Sequence, residues 1–93
     1  MLTLTKSKGI ILLKVQLEVF ELMDVVKMAS TLRQLRREKG VSQSMVAAAC
    51  GISPSAYAMY ETAERRPRDD VKAKLSEYFN KPIAAIFFDE NTH

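Results

Sequence analysis

Histidine and cysteine are nearly missing from this chain, and their scarcity removes whole chemistries. The one histidine is the last residue, His93, so no internal imidazole can act as a general base. Cys50 stands alone, which excludes an intramolecular disulfide and makes a reducing, cytoplasmic setting the expectation. The two residues form no His/Cys cluster for zinc, and neither metal, cofactor nor catalytic residue is expected. Serines are plentiful, but no base is placed to activate one, so no enzyme is expected. Long apolar runs are absent too. The run Ile10 to Leu13 ends at Lys14, short of the roughly 7–15 residues of a signal-peptide core and the about 20 of a membrane span. Glu18, Glu21, Asp24 and Lys27 exclude a span beyond it, so no membrane partner is expected.

What is present describes an ordinary globular chain. Hydrophobic residues at 47% and charged residues at 27% exclude disorder and low complexity. Ninety-three residues hold one small domain and at most an appendage, with no room for an effector domain or a cleft between lobes. Lys and Arg number 14 against 11 acidic residues, a net charge of +3 that suits a polyanionic partner without requiring one.

Residues 1–23 read as an N-terminal arm. Odd positions from Ile11 to Val19 are Ile, Leu, Val, Leu and Val, while Lys14, Gln16 and Glu18 alternate with them. Period-2 alternation with β-branched enrichment predicts a strand, whose natural partner is the same strand of another copy. Leu12 and Phe20 break the polar face, leaving an amphipathic helix or an unstructured leader as alternatives. Met28 as an internal start would make the arm dispensable.

From Asp24 onward the pattern is helical. Asp24 is a candidate N-cap, and Val25, Met28, Leu32 and Leu35 form one apolar face of a first helix closed by Lys39 and Gly40. Ser42 caps a slim second helix, Gln43 to about Cys50, which Gly51 stops. Ser53 caps a third, with Pro54 at its first position and Tyr57 and Tyr60 along it to about Thr62. Asp69 and Asp70 open a fourth that carries Val71, Leu75, Tyr78 and Phe79. Asn80 and Lys81 break it, and Pro82 starts a last turn bearing Ile83, Ile86 and Phe87.

The second and third helices, joined through Gly51, make a helix-turn-helix candidate. The stretch Leu32 to Phe87 resembles the lambda-repressor-like (Cro-type, XRE) helix-turn-helix family. The residues that carry the likeness are Leu35-Arg36, Gly40-Val41-Ser42-Gln43, Val46-Ala47, Gly51-Ile52-Ser53, Tyr57, Tyr60-Glu61, Arg65, Pro67 and Ile86-Phe87. The resemblance implies an all-α, five-helix DNA-binding domain at 24–89, followed by a tail at 90–93. It implies double-stranded DNA as partner and a homodimer as the binding form.

The resemblance also assigns roles. Pro54, Ser55 and Met59, with Ala58 close by, face the bases; none offers the bidentate fork that discriminates bases by about 1–3 kcal/mol, so apolar and shape readout is expected. Ser42, Gln43 and Ser53 contact phosphate from helix starts, with the Gln43 amide alternatively set against the first recognition residue. The basic flanks, Arg33, Arg37 and Lys39 before the motif and Arg65, Arg66 and Arg68 after it, are read from their charge as phosphate grips on either side of the groove; of these, Arg65 matches a family position. Arg36 and Glu61 form a structural salt bridge. Ala63 stands where the family often has Gly, and Arg68 where it often has a capping Ser, so Asp69 is expected to cap instead. Cys50 is expected as a small core hydrophobe.

The expected function is therefore a sequence-specific transcriptional regulator, a repressor acting as a dimer. Two alternatives are the antitoxin of a toxin–antitoxin pair and a protein-interaction module that keeps the fold without DNA. The second is motivated by the absence of charge from Val41 to Tyr60. In either, a toxin or an antirepressor would be the protein partner.

Overall fold

The computed structural model describes residues 2–88, with side chains from Leu12 onward. Its five helices are α1 (Leu2–Lys39), α2 (Gln43–Cys50), α3 (Pro54–Glu61), α4 (Asp69–Phe79) and α5 (Ile83–Phe87), and no strand occurs among the described residues. The predicted all-α domain stands; the tail 90–93 lies outside the described residues.

Left-handed residues end the first four helices: Gly40 (φ 71°), Gly51 (φ 68°), Ala63 (φ 64°) and Asn80 (φ 55°). Each end closes the same way. The amide of Val41 donates to the Arg36 carbonyl, Ile52 to Ala47, Glu64 to Met59 and Lys81 to Ser76, at 3.0–3.2 Å. This six-to-one bond is the Schellman motif, which satisfies carbonyls that the helix leaves open. Glycine reaches positive φ freely, and Asn tolerates it. Ala63 does not, and holding it there costs about 1 kcal/mol.

The core gathers one face of every helix. Met28 and Leu32 of α1 meet Val46, Ala47 and Cys50 of α2, Tyr57 and Tyr60 of α3, Val71, Leu75 and Phe79 of α4, and Ile86 and Phe87 of α5. Cys50 is buried as expected, and burial pushes its thiol pKa up, against a weaker opposing pull from Lys74.

Two expectations fail near helix starts. Residues 11–19 are helical, not a strand, and Asp24 lies inside α1 instead of capping it. The reason is that no Gly or Pro interrupts the chain between Gly9 and Gly40, and the apolar residues that alternate also recur at helical spacing. At α4 the capping position is Arg68, with no side-chain cap bond, and Asp69 is already helical. Asp69 and Asp70 still complement the dipole from the first turn.

The length of α1 sets the molecule's shape. At 1.5 Å per residue this helix spans about 57 Å, close to the 58 Å long axis, while the other axes are 26 and 21 Å. Its C-terminal half packs in the body and its N-terminal half projects from it.

Candidate nucleic-acid interface

The α2–α3 unit is set by two serine caps. Ser42 and Ser53 have extended backbones, and their hydroxyl oxygens accept from the amides of Met45 and Ala56, both at 3.1 Å. Between them Gly51 turns the chain and Ile52 packs on the core. Neither helix has an acidic residue in its first turn, so both positive dipole ends are uncompensated.

The third helix divides cleanly into two faces. Tyr57, Tyr60 and Glu61 are buried, the two rings meeting edge to face with centroids 6.3 Å apart. Pro54, Ser55 and Met59 are exposed and Ala58 is half-buried, so all four predicted base-facing residues lie on the outward side.

A polar anchor fixes that orientation. The Arg36 guanidinium donates to both Glu61 carboxylate oxygens, from Nε at 2.7 Å and from Nη2 at 3.1 Å. Its Nη1 donates to the Val41 carbonyl at 3.2 Å, tying α1, the turn and α3 together. Gln43 Nε2 donates to the same carboxylate at 3.0 Å. Burial raises the Glu61 pKa, but bonds from Arg36 and Gln43 and the charge of Arg36 outweigh it, so the net shift is down. The bond to Glu61 in turn raises Arg36. Burial, then the nearby Glu61 charge, pushes the Tyr57 phenol far above its usual range; its hydroxyl makes no hydrogen bond of standard geometry. The expected salt bridge is thus present. Gln43 is half-buried, with its amide nitrogen held by Glu61.

The cations separate into groups. Arg65, Arg66 and Arg68 line one surface cleft of about 330 Å³ together with Ser53 and Ala56 at the start of α3. Arg66 Nη2 also donates to the Glu21 carbonyl of α1 at 2.7 Å, and Arg68 lies 3.7 Å from Asp70. Arg33 is half-buried and donates to the Glu61 carbonyl, at the opposite end of α3. Lys39 departs from the group: its ammonium stands 4.7 Å from the Tyr78 ring centroid, over α4. The expected phosphate set is therefore brought together on the 65–68 side and only partly on the other. Val41's carbonyl as a third anchor and Tyr57's place beside the ion pair carry no signal in spacing or composition.

Among the described residues no group of three or more His, Cys, Asp or Glu could hold a metal, and no helix is long and apolar enough to cross a membrane. The Helix-turn-helix family model matches residues 32–86. The chain is also similar to a cryptic phage CTXphi transcriptional repressor, RstR, of Vibrio cholerae: 31% identical over 65 residues, 70% of this chain and 59% of the repressor. The match thus spans less than two thirds of that relative's length. No solved structure matches significantly. On the helices, the outward face of α3 and the match across 32–86, the chain belongs to the lambda-repressor-like, XRE-type helix-turn-helix family of DNA-binding transcription regulators.

Proposed function

We propose that this chain is a repressor that lays α3 in the major groove of duplex DNA and acts by occupying its operator as a dimer. The observation that carries the reading is the exposed Pro54–Ser55–Met59 face directly beside the Arg65–Arg66–Arg68 cleft. The major groove, about 12 Å wide, admits a helix. The arginines and the open Ser55 amide at the start of α3 grip the flanking phosphates. Ser55 offers one hydrogen bond, and Ala58 and Met59 meet thymine methyls, so base preference comes from apolar contact and groove shape. Two α3 helices of a dimer would lie about 34 Å apart, one DNA turn. With duplex DNA as the target, its compartment is the cytoplasm.

One observation favours a protein partner as a second reading: Met45 and Met59 are exposed on the stretch without charge. Selection from a random duplex library separates the two. Enrichment of a pseudo-palindrome supports the repressor, and a pool that stays random leaves the interaction module.

A further inference from the structure

The projecting half of α1 is apolar where nothing covers it. Leu12, Val15, Val19, Leu22 and Val26 are 63, 49, 48, 62 and 50% exposed. Their spacing alternates three and four, and a further step of three reaches Ala29, which is buried at the edge of the body. This is the a/d rhythm of a coiled coil, with Leu12, Val19 and Val26 at a and Val15 and Leu22 at d; Ala29, the next d position, is buried in the body and ends the seam. No charge falls on the seam; Lys14, Glu18 and Glu21 recur at helical spacing outside it.

We propose that this seam pairs with the same seam of a second copy as a parallel two-stranded coiled coil. Valine at a with leucine at d, as at Val19, Val26 and Leu22, favours two strands, whereas the Leu12–Val15 layer reverses that pattern. In parallel register Glu18 lies across from Met23, and Val25 from Ser30, so no like charges oppose. The five seam residues from Leu12 to Val26, each 48–63% exposed in the single chain, are covered in the pair by the same residues of the partner copy. Parallel pairing also keeps both α2–α3 units at one end of the coil, where a single duplex can reach both. The bond from Arg66 to the Glu21 carbonyl ties the arginine cleft to the seam's own helix beside Leu22.

The inference deepens the dimeric reading above, and its test separates the two failures. Light scattering on the full chain, without DNA, should give about twice the 10.5 kDa chain mass. The double variant Val19→Lys/Leu22→Lys should fall to one chain, with the thermal transition of the body retained in circular dichroism. Leu12→Cys should form a disulfide-linked dimer on oxidation, while buried Cys50 does not compete. A dimer that survives the double substitution, or one that Leu12→Cys fails to cross-link, keeps the dimeric reading and overturns this interface. A monomeric wild type overturns both. A mass of four chains, or a monomer that sediments with anionic phospholipid vesicles, overturns it in favour of a bundle or a lipid surface that would also use Leu17 and Phe20.

Discussion

The two halves of α1 use the same residue types for opposite ends. In the C-terminal half Met28, Ala29 and Leu32 are at most 3% exposed, buried where the body packs on the helix. In the N-terminal half every leucine and valine from Leu12 to Leu22 is about half exposed or more. Composition is therefore not what buries a helix; a facing surface is. The body supplies one through α2 to α5, and the projection must find it elsewhere. The same contrast holds for charge. Arg36 and Glu61 are locked together inside, where each bond depends on the other partner, whereas Arg65 and Arg68 stay exposed near α3, Arg68 beside the likewise exposed Asp70.

The largest effect should come from breaking the inner region. Glu61→Ala leaves Arg36 without its partner and should cost about 3–5 kcal/mol in urea unfolding. A loss under 1 kcal/mol would show that the anchor does not set the fold. Leu32→Ala, at a fully buried site, should cost about 2–5 kcal/mol. Leu22→Ala, by contrast, should leave the unfolding of a dissociated chain within about 0.5 kcal/mol, and equal losses at both sites would erase the difference between the halves.

Glu61 also predicts a pH dependence. Its folded pKa lies below the ordinary glutamate value of 4.5, so the folded state holds fewer protons than the unfolded one. The stability it contributes is complete above that value and drains away as pH falls through the lowered one. Glu61→Gln should flatten acid unfolding in that window, and an unchanged acid limb would assign the loss to other groups. The smallest effect is at α3's end: Ala63→Gly relieves the left-handed alanine and should stabilise by about 0.5–1 kcal/mol in thermal or urea unfolding.

Much of the body is legible in sequence because its signals are local. Ser42 and Ser53–Pro54 start helices, Gly40 and Gly51 stop them, and the spacing of Met28, Leu32 and Leu35 marks one core face. Ala63's left-handed backbone follows from its family position alone. What escapes depends on tertiary partners or on two periods sharing one stretch. Alternation at residues 11–19 suggests a strand, yet Leu12, Val15 and Val19 already carry the helical seam, and nothing breaks the helix before Gly40. That the fold brings Glu61 to Gln43 and Tyr78 to Lys39 has no signal in their spacing. Arg65, Arg66 and Arg68 converge on Ser53 because a short turn carries them back to the start of α3, and that convergence has no one-dimensional signature.

The central claim is that α3 and the arginine cleft hold duplex DNA through its phosphates. Affinity for one duplex across a salt series tests it most directly, with Arg65→Ala measured beside the wild type. Wild-type affinity should fall steeply with salt, and the variant's slope should be shallower by about one unit. Salt-independent affinity, or identical slopes for the two proteins, would contradict it.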